Sequence, residues 1–159
     1  MSTVILYTTK HGTTAKCAGI LKEKASEDIE IVNLMEIKDF SIEPYDTIIL
    51  GASVYMGKIQ PEMTAFCRNF EGLLLKRGIG LFICSGDHGE RGREYLKLFG
   101  ESLYKHAISK KLFGDEVYWN RLNFIEKLAM RIIKKTNTST SDIETGAIDE
   151  LLAEMKLQT

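Results

Sequence analysis

Proline is nearly absent, with 2 residues in 159. Together with 44% hydrophobic and 27% charged residues, this excludes collagen-like, low-complexity and disordered chains. Cysteine is scarce as well. Cys17, Cys67 and Cys84 are odd in number, far apart and form no CxxC pair, which argues against a disulfide frame or a zinc site and fits reduced thiols in a cytoplasmic protein. Neither charge sign dominates. With 21 Lys+Arg against 22 Asp+Glu the net charge is −1, so the basic surplus of a dedicated nucleic-acid binder is missing and no nucleic-acid partner is expected. No apolar run reaches the roughly 18 residues of a membrane span, and the opening MSTVILYTT lacks the basic n-region expected of a signal peptide. The Walker GxxxxGK[ST] loop, the dinucleotide GxGxxG turn and the GxSxG nucleophile elbow are all absent. His11, His88 and His106 have no ligand spacing with cysteine or carboxylates, so no metal site is expected.

What the sequence does contain is alternation. Short β-branched apolar runs alternate with helix-length amphipathic segments, without internal repeats or long linkers, and the length fits one domain spanning 1–159. The runs Val4–Thr9, Ile29–Leu34, Tyr45–Ser53 and Gly80–Gly86, and a weaker one between Lys111 and Trp119, read as five strands. Helices are expected from about Thr13 to Ala25, Pro61 to Phe70 and Gly92 to Lys105. Such a pattern predicts an α/β fold, a doubly wound five-stranded parallel sheet with helices on both faces. Ligands of such sheets sit beyond the carboxyl ends of the strands, where strand order reverses. Three loops are placed there: Thr8–Thr14, Ala52–Pro61 and Ser85–Arg93.

The C-terminal part reads differently. Arg121–Lys135 is an amphipathic helix candidate with five basic residues against one acid, Glu126. Such a face is either solvated or placed on an anionic surface. Thr136–Asp142 is a polar break, Ser141-x-x-Glu144 fits a capping box, and a last helix is expected from about Ile143 to Leu157.

In the first loop, strand-to-helix context offers unpaired first-turn amides and a favourable dipole for an anion. Threonine hydroxyls add donors, and Gly12 lets the backbone approach closely. An ordinary capped turn is the alternative. Here Tyr7-Thr-Thr-Lys-His-Gly-Thr-Thr14 resembles the FMN phosphate loop of flavodoxins, [ST]-x-[ST]-G-x-T, with Thr9, Gly12 and Thr14 on motif positions and His11 departing from it. Gly51-Ala-Ser-Val-Tyr-Met-Gly57 resembles a narrower branch, the menaquinone-dependent, flavodoxin-like protoporphyrinogen oxidases.

The resemblance implies a flavodoxin-like fold holding one FMN without a covalent bond, and no catalytic side chain, since the flavin supplies the redox chemistry. The residues it assigns to the cofactor are Thr9, Lys10, His11, Gly12, Thr13 and Thr14 for the phosphate. Ala52, Ser53, Val54, Tyr55, Met56 and Gly57 follow along the ring, and Ser85, Gly86, Asp87, His88 and Gly89 at its pyrimidine end. Tyr55 is the candidate to stack on the ring, Met56 to cover its edge, and Gly57 to offer a flippable peptide. Tyr55 and His88 otherwise read as solvated loop residues, and Trp119 as packing or shielding. An electron-transfer flavodoxin serving redox partner proteins is placed ahead of the oxidase. In the oxidase reading, Arg121–Lys135 makes peripheral contact with a membrane or a quinone. A non-redox binding module on the same fold is the third reading.

Overall fold

The computed structural model describes residues 2–37, 39–87, 89–117 and 140–158. Its centre is a six-stranded sheet in the order β2-β1-β3-β4-β5-β6. The strands are β1 (Thr3–Tyr7), β2 (Glu30–Asn33), β3 (Thr47–Ser53), β4 (Gly78–Cys84), β5 (Ser109–Val117) and β6 (Thr140–Ile143). The first five are parallel, as the alternation predicts. Strand order reverses between β1 and β3, which opens a crevice at their carboxyl ends.

Strand residues alternate between two apolar layers, and both are covered. Val4, Leu6, Ile48, Leu50, Leu81 and Ile83 face one layer with Met63, Phe66, Leu74, Leu96 and Leu103. Those partners come from α2 (Pro61–Asn69), α3 (Glu71–Leu74), a 3₁₀ turn (Leu96–Phe99) and α5 (Glu101–His106). Ile5, Ile49, Phe82 and Phe113 face the other layer with Cys17, Ala18, Leu21, Ile148 and Leu151, carried by α1 (Thr13–Lys24) and α6 (Thr145–Glu154). Burial on both faces is why these strands read as continuous apolar runs rather than alternating ones. Cys17 and Cys84 are buried and meet with their sulfurs 3.7 Å apart, while burial pushes the Cys67 thiol up to about 12. All three are free thiols.

Three sequence expectations are corrected. The helix expected over Gly92–Lys105 is divided into α4 (Glu90–Tyr95), the 3₁₀ turn and α5, and the break before α5 falls at Gly100, whose φ of 122° lies outside the helical region. Ser141 does not stand at a helix start. It lies in β6, which runs antiparallel to β5 and pairs Val117 with Thr140 and Gly114 with Ile143. The last helix accordingly starts at Thr145, with Glu144 at its cap. This edge strand escapes a reading based on apolar pattern, since Thr-Ser-Asp-Ile is held by backbone pairing, extended by Glu144 N–H to Phe113 O at 2.7 Å. The fifth strand begins two residues earlier than its apolar core indicates, at Ser109. Trp119 and the Arg121–Lys135 segment lie outside the described residues.

Candidate functional site

Three loops meet at the carboxyl ends of β1, β3 and β4. The first, between β1 and α1, is shaped by its own side chains. Gly12 stands at the N-cap of α1 with φ 100°, and its N–H donates to Thr9 Oγ1 at 2.9 Å. Lys16 N–H then closes the first helical turn on Gly12 O at 3.1 Å. A side chain at position 12 would strain this left-handed cap, which is why glycine stands there. Thr13 and Thr14 are buried in the first turn. Thr14 is completely inaccessible, yet its hydroxyl has no hydrogen-bond partner among the described residues. Tyr7, at the end of β1, has its phenol pushed above its ordinary value by burial and by Glu36.

The second loop leaves β3 at Ser53. Tyr55 and Lys58 pair across a two-residue hairpin, with Tyr55 N–H to Lys58 O at 2.8 Å and Lys58 N–H to Tyr55 O at 3.1 Å. Its central residues, Met56 and Gly57, have φ 52° and 77°, the two positive values a primed hairpin turn demands. Glycine accepts that conformation freely; for Met56 it costs about 1–2 kcal/mol. Met56 is nevertheless 82% exposed, so an apolar side chain is held out at the loop tip on a strained backbone. Tyr55 is half-buried, with Lys10 Nζ 4.6 Å from its ring centre and His11 edge-on at 6.4 Å. The first and second loops are thereby in direct contact.

A buried polar network also joins them. Thr8, Ser53 and Gln60 are all at most 8% exposed. Thr8 Oγ1 donates to Gln60 Oε1 at 2.8 Å, and Gln60 Nε2 donates to Ser53 Oγ at 2.9 Å and Ser53 O at 3.1 Å. Lys10 N–H, in the middle of the first loop, donates to the same Ser53 Oγ at 3.2 Å. Gln60 lies within the second expected loop but is not among the residues that the sequence assigns to the cofactor. The available signal was a glutamine just before Pro61, at a helix N-cap where Ser, Thr, Asp or Asn is preferred.

The third loop follows β4. Val54 N–H donates to Cys84 O at 3.1 Å, which ties it to the second. Ser85 is buried and its Oγ accepts from Asp87 N–H at 3.1 Å, while Gly86, Asp87 and Gly89 are exposed. A Cβ at Gly92 would come within 2.2 Å of Asp87 O, so α4 packs down on the loop where only glycine fits. His88 lies outside the described residues. Ala52 is fully buried within β3 and faces the layer of α2, so its place at the site is one of backbone.

The loops therefore cluster glycines, hydroxyls and helix-end amides at the strand-order reversal. A buried unpartnered hydroxyl stands at the helix end, where an acceptor oxygen would satisfy it. An anion fits these residues.

A family model for the flavodoxin domain matches residues 4–144. No curated protein sequence matches the chain. Among solved structures, the chain is similar to a flavodoxin, WrbA-like protein from Agrobacterium tumefaciens at 17% identity and TM-score 0.59, covering 98% of this chain and 94% of that one. Oxidised flavodoxin 1 from Bacillus cereus matches at 18% identity and TM-score 0.58, with 98% and 97% covered. A flavoprotein from Lactobacillus acidophilus, solved in complex with FMN, matches at 14% and TM-score 0.51 over 72% of this chain and 91% of that one. The fold, the strand order and a family match over most of its length agree: the chain belongs to the flavodoxin family.

Proposed function

We propose that the protein is an FMN-binding electron-transfer flavodoxin that serves redox partner proteins. The observation that carries this reading is Thr14, whose hydroxyl is buried with no partner among the described residues, in the first turn of α1 beside the left-handed Gly12 cap. Bound phosphate oxygens would accept from it and from the first-turn amides, with the helix dipole favouring their charge. Thr9, Lys10, His11, Gly12 and Thr13 complete the cradle through backbone and side chain. Ala52 and Ser53 stand beside the first loop, where Ser53 Oγ accepts from Lys10 N–H, and Val54 to Gly57 would run along the flavin ring, with Tyr55 against its face and Met56 at its edge. Ser85 to Gly89 meet the pyrimidine end. The flavin supplies electron storage, and the chain binds it, orients it and excludes water.

The finer assignment to the protoporphyrinogen oxidase branch rests on Gly51–Gly57 and on Arg121–Lys135 in the sequence. The matched family and structures are described as flavodoxins and flavoproteins. Among the described residues no helix is long and apolar enough to cross a membrane. The test is the visible spectrum of the purified protein, followed by anaerobic photoreduction. Expected are the bands of an oxidised flavin and reduction in two separable one-electron stages. A single two-electron stage would turn the reading to the oxidase. A colourless protein that takes up no added FMN would overturn both and leave a binding module.

A further inference from the structure

The Gln60 side chain does something unusual for its position. It precedes Pro61 at the N-cap of α2 but makes no side-chain cap to its helix. It is 6% exposed and turns instead to the first two loops. A primary amide has two N–H donors and two acceptor lone pairs, and here all four are used. Nε2 donates to Ser53 O and Ser53 Oγ, while Oε1 accepts from Thr8 Oγ1 and from Ser53 N–H at 3.3 Å. The orientation of the amide is not free. Ser53 N–H needs an acceptor and Ser53 C=O needs a donor, so reversing oxygen and nitrogen would break both bonds at once.

This fixed polarity decides which way the Ser53 proton points. Ser53 Oγ accepts from Gln60 Nε2 on one side and from Lys10 N–H on the other. Both lone pairs are then occupied, and neither neighbour can take the proton, because each is a donor. Among the described residues nothing accepts it. The hydroxyl lies against the backbone of the first loop and is left as a donor only.

We infer that Gln60 is a positioning residue that makes Ser53 an obligate hydrogen-bond donor to the phosphate of the bound flavin nucleotide, and so sets the preference of the site for FMN over riboflavin. This rests on the FMN reading above. It goes further by assigning the phosphate selectivity to a buried amide remote in sequence from the phosphate loop. Replacing the amide by a carboxylate would reverse the polarity: Ser53 Oγ–H would turn inward to the new acceptor, and a negative charge would lie beneath the anion.

The experiment titrates apoprotein with FMN and with riboflavin, following flavin fluorescence, for wild type, Gln60→Glu, Ser53→Ala and the double variant. Melting of each apoprotein serves as the control for folding. In Q60E the FMN-over-riboflavin preference is expected to fall by about tenfold or more, with riboflavin affinity essentially unchanged. S53A alone is expected to lower the preference, and S53A added to Q60E to lower it no further, since the hydroxyl no longer donates. An unchanged preference in Q60E overturns the inference, as does an equal loss for both flavins, which a purely structural role would produce. Should Q60E fail to fold, Gln60→Met removes the amide without adding charge and is expected to lose about threefold in preference; no loss there overturns the inference too. A wild type that binds FMN without preferring it over riboflavin overturns the inference and leaves the FMN reading standing. A wild type that takes up neither flavin overturns both.

Discussion

A hydroxyl buried without a partner is destabilising by about 1–3 kcal/mol, and Thr14 carries this cost inside the first turn of α1. Thr14→Val removes the hydroxyl while keeping the shape and a similar helix propensity. It is expected to move two measurements in opposite directions. The apoprotein gains up to about 1 kcal/mol in urea denaturation, because the unmet group is gone. FMN affinity, from fluorescence titration, falls about tenfold or more, because a hydrogen bond to a charged acceptor is lost. A loss of both stability and affinity would make Thr14 an ordinary packing residue. The neighbouring Thr9 serves differently: its hydroxyl already accepts from Gly12 N–H and shapes the loop from within. Sequence pattern marks both threonines alike, and burial and hydrogen-bond partners separate them.

Between strands, the closest constraint is Gly51 in β3. A Cβ there would lie 2.0 Å from Cζ of Phe82 in β4, whose ring is fully buried and stacked on Phe113 at 4.5 Å. Neither ring has room to retreat, so Gly51→Ala is expected to cost about 2–3 kcal/mol of stability, read as a lowered urea midpoint. Phe82→Leu in the same chain should recover part of it; an unchanged midpoint in G51A would show the layer to be soft. The three central strands were legible because each is buried on both faces and has to be apolar, as Val4–Leu6, Ile48–Leu50 and Leu81–Ile83 are; β2, with Glu30 exposed at the sheet edge, and β5, which opens Ser-Lys-Lys, carry shorter apolar cores. β6 was not legible, since its sequence carries no such demand. The break at Gly100 was hidden because glycine inside an amphipathic pattern is compatible with a continuing helix, and only its φ of 122° decides. The three site loops were found from strand ends and small residues. Gln60 was not, because its partner Thr8 is 52 positions away and no local pattern encodes that contact.

At the scale of the whole molecule, salt bridges hold the outer helix against the sheet and its neighbour. Lys111 of β5 reaches Glu150 and Glu154 of α6 at 2.8 Å each, and Lys24 of α1 reaches Asp149 at 2.9 Å. Burial lowers the Lys111 ammonium, but the two carboxylates outweigh it and hold its pKa above the ordinary value. The sheet edge offers a larger-scale prediction. Because Val117 stands directly opposite Thr140, residues 118–139 begin and end at neighbouring points of one antiparallel ladder. Replacing them by Asn-Gly, the residues that suit a two-residue hairpin, is expected to leave cooperative unfolding and flavin uptake intact by far-UV circular dichroism and fluorescence titration. Loss of cooperative folding would show that the excised residues belong to the core.

That geometry has a consequence for how such a chain can diversify. On that expectation, the clasped ends at Val117 and Thr140 let the chain between them change length or charge while the described sheet keeps its shape. Length at the β5–β6 edge and shape at the crevice between β1 and β3 then become separately variable.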